Sequence, residues 1–147
     1  MYFNELNNEQ RRQLTDARQL FDAYRQTTGE LAHRFSGSMR WLERNGREYL
    51  HRKRGRAERS LGPRSPETEA QYDAFQRGRS AARDQAKALA ARLDAMAPIN
   101  RALGLGRMPR LTARLLRHLD KMQLLGDRLL LVGTNALFAF ESAAGVF

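Results

Sequence analysis

The stretch "GSMRWLERNGREYLHRKRGRAERSLGPRSPE", residues 37–67, carries the signals that organise the rest of the chain. Met39, Trp41 and Glu43 alternate with Arg40, Leu42 and Arg44, which is the period of a strand with two unlike faces. Asn45-Gly46 then offers a two-residue type I′ turn, and Arg47–Arg52 runs outward again with Tyr49 and His51 on alternate positions. The spacing predicts a β-hairpin over about 38–53. The following residues, 52–65, hold Gly, Pro and Ser together with six Arg or Lys, and read as a flexible basic loop. Ser65-Pro66 supplies an N-cap and a proline for the first turn of a helix.

Working outward, Leu14, Ala17, Phe21, Tyr24, Thr28, Leu31 and Phe35 recur at spacings of three and four and predict a long helix before the hairpin. Tyr72, Phe75, Arg79, Ala82, Ala86, Leu89, Leu93 and Met96 repeat the pattern after it, with Arg79 at the edge of the seam. Two apolar stripes of similar length predict an antiparallel helical pair with the hairpin inserted between its members. After Met96, two prolines and three turn-capable residues predict a break, and Pro109 opens another helix. Leu111, Leu115, Leu119 and Met122, with Leu116 and Leu124 alongside, mark its buried face, while Arg110, Arg114, Arg117 and Lys121 fall on the other side. Gly126 is expected to close it. Arg128–Val132 reads as a short buried strand and Asn135–Ala144 as a helix entered from the Gly133-Thr134 turn. The expected fold is therefore mainly α with a small β component. It comprises a helical arm over 1–108 and, over 109–147, the start of an α/β domain.

The formal charge is +10 and is unevenly placed. Residues 40–64 carry nine basic against three acidic side chains, and residues 101–128 carry seven against two. The intervening stretches are balanced. Clustered Arg and Lys suit a polyanionic partner through counterion release, although a solvated basic surface accounts for the same excess. The basic hairpin residues Arg52, Lys53, Arg54, Arg56, Arg59 and Arg64 are the candidate nucleic-acid contacts. Trp41 and Tyr49 lie among them. Either ring can stack a base, but in a hairpin leaning on helices packing is the favoured reading.

There is no cysteine, so disulfides and thiolate metal sites are excluded. His33, His51 and His118 stand apart without metal-ligand spacing. Leu103–Gly106 lacks the ending of a phosphate loop and reads as a connector. No nucleophile elbow, secretory leader or membrane-spanning run occurs, and a cytoplasmic location is the default. In the strand, Gly-Thr turn and helix of residues 129–144, a glycine permits close backbone approach to a phosphate. The new helix then offers unpaired N–H groups. An ordinary strand-to-helix turn has the same residues.

"GSMRWLERNGREYL", "SLGPRSPETEAQYDAF" and "LLLVGTNALFAFESAAGV", in this order, resemble a bacterial family of nucleotidyltransferase-fold proteins related to DNA polymerase beta. The resemblance covers about Gly37 to Val146. It implies an enzyme that transfers a nucleoside monophosphate from an NTP to a hydroxyl acceptor, with Gly133 and Thr134 in the nucleotide-binding positions. It also implies a catalytic Asp pair on the next strand, holding Mg²⁺ in the complete enzyme. This chain ends at Phe147 before such a strand, and neither Glu141 nor Asp127 replaces it. The expectation is therefore an N-terminal part of the enzyme, with no catalytic or metal residues of its own, that self-associates through residues 129–147. The alternative is a non-enzymatic basic module binding nucleic acid or an acidic protein.

Overall fold

The computed structural model describes residues 4–126 and 128–146. Asp127 and Phe147, considered above as a substitute acid and as the end of the tail, lie outside the described residues. The elements run α1 (Asn8–His33), β1 (Ser38–Arg44), β2 (Arg47–Arg54), β3 (Ala57–Pro63), α2 (Pro66–Ala102), α3 (Arg110–Lys121) and α4 (Thr134–Ala144). The chain divides into two compact units, Gln26–Ala88 and Met1–Arg25 with Leu89–Phe147. No described helix is long and apolar enough to cross a membrane.

The Gln26–Ala88 unit is built on one antiparallel sheet of order β1-β2-β3. Asn45 (φ 52°) and Gly46 (φ 71°) both adopt the left-handed region, as a type I′ hairpin requires. The expected hairpin over 38–53 is thus present but incomplete. The loop expected over 52–65 is corrected to a third strand, because Gly55 at φ 57° starts a second two-residue turn and Arg54 pairs with Ala57. The register shifts between Leu50 and His51, where Gly62 and Ser60 are the partners and Leu61 is the extra residue of a bulge. Leu50 on the central strand is fully buried. Phe35, Phe75 and Ala82 form the core, with Leu31 and Met39 against it. Trp41 packs on Tyr72 at 5.8 Å between centroids.

The helix ends follow their local chemistry. Asn7 and Gln10 exchange side-chain and backbone hydrogen bonds at 2.8 and 2.9 Å, a capping box before α1. Ser65 and Thr68 do the same for α2, with the Thr68 hydroxyl donating on to the Pro63 carbonyl. Buried positions on α2 recur every seven residues, at Thr68, Phe75, Ala82 and Leu89. On α1 the buried residues are Leu20 and Thr27, while Phe21 is 36% exposed. The expected α1 seam is otherwise present, with Leu14, Ala17, Tyr24, Thr28 and Leu31 partly buried and Phe35 buried, but Leu20 takes the inward position expected for Phe21, since the spacing of apolar residues does not distinguish two apolar neighbours.

In the other unit, the Gln10 side chain donates to the Leu103 carbonyl and Gln13 to Asn100 Oδ1, so these parts of α1 and α2 run antiparallel. The break expected after Met96 is corrected: α2 continues through Pro98 to Ala102. It ends when Gly104 (φ 74°) donates to the Arg101 carbonyl and Leu105 to Asn100, a Schellman cap. The α3 and α4 helices lie where expected, but α3 ends at Lys121 with Gln123 at φ 56°, before Gly126, and its expected buried face is corrected to an exposed one, with Leu111, Leu115 and Met122 facing solvent because no described element covers that side. The strand expected over 128–132 is also corrected. Leu129 makes only an isolated bridge to Leu125, its N–H donates to the Leu124 carbonyl, and Leu130 and Val132 are 80% and 72% exposed. Without a neighbouring strand among the described residues, the Leu129 amide is satisfied in a tight turn instead of a ladder. The α4 helix is held by Leu6 N–H donating to the Gly145 carbonyl, by Arg18 donating to Ser142, and by an ion pair between Arg107 and Glu141.

Candidate nucleic-acid interface

Strand alternation divides the basic residues of the sheet between two faces. Met39, Trp41, Leu50 and Arg52 share the face that receives the helices. Arg40, Leu42, Tyr49, His51 and Lys53 share the opposite one. The six arginines and lysines singled out above therefore do not act as one group.

On the helix-packed face, Arg52 and Arg59 are directly opposite each other across β2 and β3. The Arg52 guanidinium lies 4.2 Å over the Phe75 ring and donates to the carbonyls of Arg34 and Ser36, both at 2.9 Å. Its Nε is buried without a hydrogen bond. Arg79 approaches the same ring at 5.8 Å. Burial, and then the charges of Arg54, Arg79 and Arg59, lower the Arg52 pKa from its ordinary value. Two guanidinium groups thus share one aromatic ring, with Arg54 and Arg59 near enough to Arg52 to act on its charge. Arg54, Arg59 and Arg79 form no ion pair among the described residues. Like charges placed directly across a ladder destabilise it, and an anion seated among them removes that cost.

Arg64 belongs to a different environment. It pairs with Glu48 at 2.5 Å and Glu69 at 2.7 Å and lies 5.1 Å over Trp41. The hydrogen bonds it donates to Glu69 and Glu48 hold its pKa above the ordinary value. It clamps β2 to the start of α2. Arg56 sits with Gly55 in the β2–β3 turn and is exposed. Lys53 is exposed on the opposite face.

That opposite face has its own polar link. Arg40 donates to Glu58 Oε1 at 3.1 Å, and His51 Nδ1 is 3.6 Å from the same oxygen without a hydrogen bond. The Arg40 hydrogen bond holds the Glu58 carboxyl below its ordinary pKa. Sequence reasoning named Lys53 here but missed Arg79, which was read only as a break in an apolar seam. Its place four residues after Phe75, a ring shared with Arg52, was the available signal.

Gly133 and Thr134 stand at the start of α4, with Gly133 at φ 81° and open space where a side chain would project. Among the described residues no group of three or more His, Asp or Glu is arranged to hold a metal ion. Comparison with protein-family models, curated proteins and solved structures found no match to this chain. The sheet unit is accordingly defined by its own geometry, a three-stranded antiparallel sheet on two helix segments with arginines concentrated at one end of β2 and β3.

Proposed function

We propose that the Gln26–Ala88 unit is a docking module for nucleic-acid phosphates, acting through Arg54, Arg56, Arg59 and Arg79. The observation that supports it is the gathering of Arg59 and Arg79 around Arg52 and Phe75 without acidic partners. Arg52 and Arg64 serve as scaffold, because their donors are used within the unit. In anisotropy titrations of a labelled oligonucleotide, Arg→Gln at the four docking positions weakens binding of the full chain. It also flattens the slope of log K against log salt by about 3, since each lost phosphate contact removes about 0.7 to 0.9. A wild-type affinity that does not change with salt overturns the reading.

The resemblance supports a second role for the same protein, in the nucleotide binding of a cytoplasmic Mg²⁺-dependent nucleotidyltransferase. The open backbone at Gly133 favours contact with an NTP there. In this reading the apolar segment 129–147 mediates self-association. A non-hydrolysable ATP analogue titrated into labelled protein shifts the amide resonances of Gly133 and Thr134, and Gly133→Val abolishes the shift. Unshifted wild-type resonances remove NTP from the reading.

A further inference from the structure

The arginine cluster accounts for one face of the sheet only. The other face presents three cross-strand rows: Leu42, Tyr49 and Pro63; Arg40, His51 and Ser60; Ser38, Lys53 and Glu58. Its polar contacts, Arg40–Glu58 and His51–Glu58, stay within the sheet, while the helix segments of the unit pack on the other face through Phe75 and Tyr72. The unit's ring pairs are Phe35–Phe75 and Trp41–Tyr72, and Tyr49 joins neither. Around the half-buried Tyr49 and His51, the exposed Arg44, Arg47 and Lys53 form no ion pair among the described residues.

A half-buried ring on the sheet face away from the unit's helix segments, with cations at its rim, suits a ligand having both π-faces and negative charge. Tyr49 and His51 are same-face neighbours on one strand and so stand about 6.8 Å apart, a separation that unstacked bases of a flexible strand can match. A duplex keeps its base faces covered. An acidic peptide supplies the charge but no ring to stack.

We infer that the Tyr49–His51 face of β1-β2-β3 is a base-stacking platform for single-stranded nucleic acid, with Arg44, Arg47 and Lys53 holding its phosphates. This inference rests on the docking reading above and assigns its substrate class. The full chain is titrated with an unstructured labelled single strand, a blunt duplex of the same length, and poly-glutamate as competitor, all at one salt concentration. The single strand binds more tightly than the duplex, and poly-glutamate competes poorly. Tyr49→Leu keeps apolar bulk without a ring and lowers single-strand affinity about tenfold, within the range for one lost base stack. Its salt slope is unchanged. Tyr49→Phe restores the affinity, which also separates stacking from any folding defect in the Leu variant. Equal affinity of Tyr49→Leu and wild type, equal binding of single strand and duplex, or efficient competition by poly-glutamate overturns the platform. If arginine substitution still abolishes binding in that case, phosphate docking stands alone; if the wild type binds neither oligonucleotide, both readings fall.

Discussion

At the level of single residues, two glycines with nearly the same backbone angle separate local strain from tertiary contact. Gly37 has φ 74° and Gly46 has φ 71°. A Cβ on Gly46 meets nothing within 4 Å, whereas one on Gly37 falls 1.9 Å from the Lys53 carbonyl oxygen. That neighbour is backbone in the central strand and has no rotamer to change. Gly46→Ala is expected to cost about 1 kcal/mol, the penalty of a left-handed residue. Gly37→Ala carries that penalty plus a displaced strand, on the order of 3 kcal/mol in total. Urea unfolding of both variants measures the difference, and equal losses would mean that β1 and β2 separate freely at Lys53. The sequence marked Asn45-Gly46 as a turn because the dipeptide has a local mechanism. It was silent on Gly37, whose need for glycine depends on a strand sixteen residues away. Trp41 and Tyr49 make the same point about the candidate site: alternation assigns them to opposite faces, but only the helices show which face is covered.

Among the elements, β3 was hidden by the chemistry that suits it to a sheet edge. Ala57–Ser60 is exposed and carries Glu58 and Arg59, and charged side chains on an edge strand discourage pairing with other chains. In sequence such residues, followed by Gly62-Pro63, have the composition of a loop. The opposite error occurred at Arg128–Val132, whose apolar run signals a strand only if a neighbour exists. Pro98 misled for a third reason, since a proline inside a helix costs about 3 kcal/mol and is normally a boundary. In α2 it lies four residues before the Ala102 end, and its missing N–H leaves the Asp94 carbonyl without its helical donor. Pro98→Ala restores that bond and relieves the ring's crowding. Part of the gain is offset by a more flexible unfolded chain, worth about 0.4–1 kcal/mol. The net expectation is a stabilisation of about 1–2 kcal/mol, read from thermal unfolding. A lower melting temperature would mean that Pro98 sets a bend on which the Asn100 contacts depend.

For the molecule as a whole, exposed large apolar side chains are distributed unevenly along the chain. Leu111, Leu115 and Met122 belong to α3 or its C-cap, Leu129, Leu130 and Val132 to the segment after it, and Leu137 and Phe140 to α4. Single exposed apolar residues are ordinary, but such a concentration is the pattern of an interface. The α4 helix is nevertheless anchored, through Leu6–Gly145, Arg18–Ser142 and Arg107–Glu141, so association would join ordered surfaces instead of requiring an unfolded tail. The purified chain is expected to show a mass that rises with concentration in light scattering after size exclusion. Leu130→Glu combined with Phe140→Glu returns it to a monomer. Because these side chains are 80% and 68% exposed, helix content by circular dichroism stays the same. A Leu111→Glu, Leu115→Glu pair acts as the control, adding two acids to the apolar side of α3 while leaving 129–147 intact. Loss of association in that pair, with persistence in the Leu130 and Phe140 variant, would move the interface from the tail to α3. A wild-type chain that is monomeric at every concentration would show that neither surface joins copies of this protein.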